Sequence, residues 1–258
     1  MFDGYDVGIR YADDAVGTLC SKLDDLGVID DTLIWISSDH GEAFGELGVY
    51  ADHQAADETT THIPSILSGA YLPSHVQNGL LYHLDIATSV VELAGARVPY
   101  HWDGRSGAEE LRKGHPIAGR DYLVTSQGAW SCQRGVRFDR FLYLETWHDG
   151  FHAAWAREML FDVEADPHEE SDRAGEDENT TGRARELLAS WVEEQLKRSL
   201  SPDDPLEITL REGGPYHVRG RLEEYCQRLR STGRHEWAKV LLERHGSSPS
   251  ASHDAPPR

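Results

Sequence analysis

An aspartate and a histidine stand side by side at residues 39 and 40, inside the stretch SSDHGEAFGE, and another histidine stands at residue 53. Carboxylate oxygens are hard ligands for divalent cations, and imidazole nitrogens are borderline ones. Asp39 and His40 come directly after TLIWISS (32–38), a short, apolar, β-branched run that reads as a buried strand. Ligands of open α/β sheets collect beyond the carboxyl ends of the strands, so the pair stands where a metal or anion would bind. Taken alone, the dipeptide reads first as a helix N-cap before a surface histidine. Gly41 allows a tight turn after the pair, and Glu42 reads as a first-turn acid on the next element. His40-Gly41-Glu42 matches the H-x-E of zinc deaminases, but the chain has no PCxxC after it. The chain has no HExxH, GxSxG or Walker lysine, and DHGEAFGE lacks the spacing of an EF-hand loop.

The elements that must hold these residues are legible from periodicity. Ile9, Ala12, Val16, Leu19, Leu23 and Leu26 recur at helical spacing, predicting a helix over 6–26 closed by Gly27. A helix, a short turn and a buried strand make half of an α/β unit. HIPSILSG predicts a second buried strand with Pro64 near its start. LYHLDIATSVVELAGA (81–96) predicts a helix with Asp85 near its positive end, and VPYHWDGRSG a loop. DYLVTSQG, RGVRFD, RFLYLETW and EMLFDVEAD predict a small antiparallel sheet, and residues 184–200 an amphipathic helix. A linker comes after SPDDP, then one or two short helices within 220–246. Residues 247–258 lack apolar content and are expected to be disordered. The domains drawn from this pattern are 1–118, an α/β body; 119–205, an α+β body; 206–246, a helical appendage; and 247–258, a tail.

At 258 residues the chain can bury a substantial core. No apolar run is long enough to span a membrane. Met1 does not open a basic and apolar leader, so the expectation is a cytoplasmic protein. Cys20, Cys132 and Cys226 form no CxxC and read as small buried hydrophobes. A net charge of −20 argues against nucleic acid or anionic membranes as partners. Four lysines among so many acids fit a halophilic source, or equally an acidic enzyme from a GC-rich genome.

Five segments, in order, resemble the sulfatases of the alkaline phosphatase superfamily. DDTLIWISSDHGEAFGE resembles their late metal-binding segment, and YDVGIRYADDAVGTLCSKLDDLGVIDDTL the helix before it. HQAADETTTHIPSIL resembles the stretch that carries a basic residue into a Pro-containing strand. HLDIATSVVELAGARVPYHWDGRS resembles the next helix and loop, and MLFDVEADPHEESD the family's Tyr-Asp-Leu…Asp-Pro-x-Glu segment. The matches run from residue 5 to about 200.

The resemblance implies an α/β fold of the alkaline phosphatase-like sulfatase type, here a partial central sheet with helices plus a small C-terminal antiparallel sheet and helices. It implies a divalent cation, Ca2+ first and Mn2+ or Mg2+ as alternatives. Asp39 and His40 would be two of its four protein ligands. The activity implied is hydrolysis of a sulfate ester, on a small molecule or a carbohydrate, with a formylglycine nucleophile made from a Cys/Ser-x-Pro-x-Arg motif. His53 stands where the family carries a lysine, which would make that cation pH-dependent. His62 is a second basic candidate. His83, His101, His115, His148, His152 and His168 read as structural or surface residues.

The sequence also departs from the family. Cys20 is succeeded by Ser-Lys-Leu-Asp and Cys132 by Gln-Arg-Gly-Val, so neither begins a nucleophile motif. No paired acids stand after an earlier apolar strand. The chain resembles the C-terminal portion of a sulfatase and is expected to be inactive alone, completed by an N-terminal half or within a homo-oligomer. The alternatives are a phosphonate or phosphate ester hydrolase of the same superfamily, and a non-catalytic metal-binding or interaction protein.

Overall fold

The computed structural model describes residues 2–69 and 71–246; the tail 247–258 lies outside the described residues. In chain order the helices are α1 (Phe2–Asp25), α2 (Glu58–Thr61), α3 (His83–Leu93), α4 (Ala108–Lys113), α5 (Glu178–Arg198), α6 (Pro205–Arg211), α7 (Leu222–Ser231) and α8 (His235–His245). The strands are β1 (Ile34–Ser37), β2 (Ala43–Phe44), β3 (Tyr50–Asp52), β4 (Ser65–Ser68), β5 (Tyr122–Gln127), β6 (Cys132–Phe138), β7 (Phe141–His148) and β8 (Glu158–Asp162). They divide into two compact units: Met1–Asp39 with Ile63–Asp121, and His40–His62 with Tyr122–Arg258. The segment after the Asp39–His40 junction therefore clusters with the C-terminal sheet. No helix among the described residues is long and apolar enough to cross a membrane.

In the first unit α1 forms as its periodicity predicts, and Gly27 (φ +67°) closes it. Val28 N–H donates to Leu23 C=O at 3.0 Å, and Gly27 N–H to Asp24 C=O at 2.8 Å. None of its residues is buried: Ile9 is 56% and Leu19 57% exposed. Cys20, expected to be buried, is only half-buried because it rides on this open helix. β1 pairs antiparallel with β4, Ile34 opposite Ser68 and Ser37 opposite Ser65. β1 is half-buried and β4 largely exposed, not the two buried strands expected, because each has a single neighbour and an open edge. The unit's core gathers under α3 and α4 around Leu93, Ala108, Leu111 and Ile117. Asp85 does more than sit at a helix start. It is buried and accepts from Tyr82 N–H (2.9 Å), Arg105 N–H (2.7 Å) and the Arg120 guanidinium (Nε, 2.9 Å). Burial alone would raise its pKa, but the Arg120 and backbone donors hold it below the usual carboxylate range.

The second unit is built on β5–β6–β7–β8, antiparallel in sequence order as the turn spacing predicts. Side chains alternate between its faces. Leu142, Leu144, Met159 and Phe161 point to one face and bury Ala43, Val49, Ala55 and Ala56 of the 40–62 segment. Val136, Phe138, Tyr143 and Leu160 point to the other and receive Ala184 and Leu188, one turn apart on α5. A third cluster forms where α7 and α8 close on Phe151 through Cys226, Leu229, Ala238 and Leu241. The stretch read as a linker after SPDDP contains α6, with Asp204 as N-cap (to Leu206 N–H, 2.9 Å) and Pro205 in the first turn. Arg134 grips the Asp204 carboxylate with both terminal nitrogens, at 2.6 and 2.7 Å, in a buried pair.

Candidate metal site and its basic rim

The segment 40–62 is polar and short of regular structure, so its position depends on what it is tied to. The C-terminal sheet supplies those ties. Gln127 Nε2 donates to His53 C=O (2.8 Å), Ser131 Oγ to Gln54 C=O (2.9 Å), and Ala56 N–H to Gln133 Oε1 (2.7 Å). Trp155 Nε1 donates to Leu47 C=O (2.8 Å), and Glu58 N–H to Glu169 Oε1 (2.8 Å). Within the segment, Gly41 N–H donates to Thr60 C=O at 2.9 Å. A Cβ at residue 41 would stand 2.0 Å from Thr59 O, so glycine is needed there for close approach of two backbones, not for a left-handed turn.

This clamping brings His40, Glu42 and His53 together, with one ligand atom from each lying within 4.8 Å of the others. The two imidazoles stack with centroids 3.8 Å apart. His53 Nδ1 lies 3.5 Å from Asp52 Oδ1 and 4.0 Å from Glu42 Oε2. His40 Nδ1 is 2.8 Å from Gly41 O. Glu42 is thus no first-turn helix acid: it lies in the loop before β2, facing the histidines. The pairing of the two histidines has no local sequence signal, because β2 and β3 fold back between them. Asp39 ends the first unit and His40 begins the second.

His62 is not part of the trio. Its Nδ1 faces Glu58 Oε1 at 3.3 Å, while Glu58 Oε2 accepts from Arg137 Nε at 3.1 Å. The hydrogen bond to Glu58 raises the His62 pKa against the effect of burial. Behind α2, Asp57 caps the helix through Thr60 N–H (3.1 Å). Asp57 and Glu169 are both buried, and one oxygen of each, Oδ2 and Oε2, has no partner among the described residues. Burial, then the neighbouring Asp57 charge, pushes Glu169 up to about 8, and burial raises Asp57 as well. Glu169 belongs to the Asp-Pro-x-Glu segment, whose role the sequence does not reveal: it holds the N-terminus of α2.

His148, Asp149 and His245 make a second close trio. There the carboxylate is already engaged by His245 Nε2 (2.8 Å), Arg244 (2.8 Å) and Phe151 N–H (2.9 Å). Burial, and then the His245 charge, lowers His148 to about 4 and keeps it neutral. This group anchors the end of α8. Cys132 is wholly buried, and burial pushes its thiol up to about 11, so it offers no thiolate.

The Sulfatase family description matches residues 1–96. The multifunctional alkaline phosphatase superfamily protein PehA of Trinickia caryophylli is 29% identical over 181 residues, covering 65% of this chain and 35% of PehA. The structure of BT4656 in complex with its substrate D-glucosamine-2-N,6-O-disulfate superposes with a TM-score of 0.61 at 22% identity, over 73% of this chain and 39% of that one. The phosphonate monoester hydrolase of Agrobacterium radiobacter superposes with a TM-score of 0.59 at 22% identity, over 72% of this chain and 40% of that one. The chain thus spans little more than a third of the length of the relatives it matches. At these identities the two superpositions carry the fold, which is the mixed α/β fold of alkaline phosphatase-like sulfatases. The matched segment makes residues 1–96 similar to the sulfatases, and the superpositions give the chain a fold shared with part of the alkaline phosphatase-like enzymes.

Proposed function

We infer that this chain carries part of a divalent-metal site for hydrolysis of sulfate esters borne on carbohydrate. The observation that carries the reading is the convergence of His40, Glu42 and His53 on a segment pinned to the sheet. The donor set fits a divalent cation. Two imidazoles and a carboxylate suit a transition-metal ion such as Mn2+, which accepts imidazole nitrogen beside carboxylate, better than Ca2+, which prefers six to eight oxygens. Asp39, consecutive with His40, is the further carboxylate that the family resemblance supplies. When bound, such a cation would act as a Lewis acid on the ester oxygens.

The chain's own residues do the rest of the work assigned here. His40, Glu42 and His53, with Asp39, would hold the cation. His53 stands where the family carries a lysine and here gives its imidazole to the donor set, its Nδ1 beside Asp52 and Glu42. His62 holds a proton to higher pH through Glu58 and is the basic residue toward the ester. The nucleophile is not among this chain's cysteines: Cys132 and Cys226 are buried, and none of Cys20, Cys132 and Cys226 has the proline two positions on that the motif requires. Phosphonate ester hydrolysis is the second reading, favoured by the fold shared with the Agrobacterium radiobacter enzyme and by the nitrogen-rich donor set.

Calorimetric titration of the full chain with Mn2+ and with Ca2+ tests the assignment without needing turnover. Mn2+ should bind more tightly, and Asp39→Ala, His40→Ala and His53→Ala should each weaken it about tenfold or more. Unchanged Mn2+ affinity in His40→Ala would sink the site.

A further inference from the structure

The sequence assigns no chemistry to GGPYHVRGRLEEYCQRLRSTGR, yet the structure folds it into one wall of a cleft in the second unit. The cleft holds about 550 Å³, within the usual range of small-ligand sites (roughly 300–1,000 Å³). Arg221, Arg228 and Arg234 line that wall; Tyr50, Gln54 and Trp130 are among the residues that complete it. Elsewhere in this unit arginines face carboxylates, as Arg134, Arg137, Arg157 and Arg185 do. Among the described residues Arg221 and Arg228 make no ion pair and no side-chain hydrogen bond, and Arg234 donates only to the Thr232 hydroxyl at 3.0 Å. Three such guanidinium groups on one cleft, in a chain of net charge −20, leave room for a bound anion.

The other residues indicate the anion's chemistry. Trp130 is held flat against His217, centroids 4.0 Å apart and planes 17° apart, and Tyr50 is 66% exposed. Flat aromatic faces pack against the C–H faces of sugar rings, and guanidinium forks bind planar or tetrahedral oxyanions through paired hydrogen bonds. Gln54 and Glu224 add polar groups suited to hydroxyls. The cleft also adjoins the candidate metal site. His152 Nε2 lies 2.7 Å from Gln54 Oε1, and Gln54 Nε2 donates to Asp52 Oδ2 at 2.7 Å. The other Asp52 oxygen is 3.5 Å from His53 Nδ1.

We propose that this cleft binds a sulfated oligosaccharide, with Arg221, Arg228 and Arg234 taking its sulfate groups and Trp130 and Tyr50 its rings. Its position as a subsite of the hydrolase rests on the function proposed above; the binding itself does not. Single-stranded nucleic acid also uses arginines and stacking aromatics, and an oligothymidylate arm in the test separates it from a sulfated saccharide.

The test is calorimetry on the full chain with EDTA present, so that binding is read apart from any metal site. The probes are a chondroitin sulfate hexasaccharide, its desulfated form, inorganic sulfate and an oligothymidylate. The hexasaccharide should bind, more weakly as salt rises, and the other three should bind at least tenfold less tightly. Arg221→Ala and Arg228→Ala should each weaken it about tenfold, as expected for a charged hydrogen bond. Trp130→Ala should weaken it too, and Arg230→Ala, which removes an exposed arginine facing Glu223, should not. Equal binding of inorganic sulfate or oligothymidylate, or an Arg221→Ala/Arg228→Ala double variant with unchanged affinity, would overturn the proposal. Saccharide binding that survives while Mn2+ binding fails would keep the cleft and remove the hydrolase reading; the reverse would remove only the cleft.

Discussion

The two compact units of this chain contain similar apolar patterns and reach different degrees of closure. The second unit has a four-stranded sheet with both faces covered, by the 40–62 segment on one side and α5 on the other. The first has a two-stranded ribbon and a 24-residue helix with no buried residue. Hydrophobic periodicity reports which face of a segment can be buried. It does not report whether the covering surface belongs to the same chain. In a chain that spans little more than a third of its relatives' length, α1 and the β1–β4 ribbon display faces for which the described residues offer no cover.

Each unit nevertheless contains an arginine–aspartate pair with a buried carboxylate, Arg120–Asp85 in the first and Arg134–Asp204 in the second, which allows a direct comparison. Removing one partner of such a pair costs about 3–5 kcal/mol, because the other charge stays buried. Asp204→Ala should therefore lower the urea midpoint of the second unit and speed hydrogen exchange in the peptides of β6 and α6. Asp85→Ala should do the same for the peptides around α3 and residue 120 in the first unit. If Asp85→Ala leaves exchange there unchanged, the first unit has too little cooperative structure for its buried pair to matter, and the contrast between the units is sharper still.

A smaller effect is expected from Glu169, the orphaned acid behind α2. Its pKa rises from 4.5 in the unfolded chain to about 8 in the folded one. Between these values the folded protein holds a proton that the unfolded chain has released. Its stabilising share is then complete below about pH 4.5, falls as pH rises, and is lost through pH 8. Thermal melts should show the second unit weakening over this window by about 2–4 kcal/mol, and Glu169→Gln should flatten the curve. A wild-type profile with no decline between pH 5 and 9 would mean that the closed unit does not bury this acid as drawn.

The smallest effect should come from the open helix. Leu19→Ser, at a residue 57% exposed, should change stability by less than about 0.5 kcal/mol in denaturant titration. A loss above 1 kcal/mol would show that the α1 stripe is covered in solution, by a second copy or another chain, and would erase the difference between the units.

Much of this architecture is legible in the sequence. The α1 stripe with its Gly27 stop, the four antiparallel strands and α5 come from periods of 3.6 and 2 and from turn residues. Three short helices are not legible. α6 carries a plain Asp-Pro start signal but only seven residues, α4 only six and α2 only four, too few for periodicity to register. The candidate site is legible in part. His40 and His53 stand out by type and position and come together, His62 stands out equally but turns to Glu58, Glu42 reads as a helix acid, and Glu169, Gln127, Ser131 and Gln133 read as ordinary polar residues. These last four act over separations of 74 to 111 residues, beyond the reach of any local pattern.

By itself the sequence determined which residues could bind a cation, where strands and helices would form, and that no cysteine begins a nucleophile motif. Those properties are local: side-chain chemistry, backbone preference and spacing along one chain. Tertiary structure decided that His53 stacks on His40 while His62 turns to Glu58, that an appendage without evident chemistry lines a cleft with unpaired arginines, and that α1 stays open. Those outcomes depend on which distant surface each segment packs against, and the free energy of burial depends on the surface covered, not on the spacing that made it apolar.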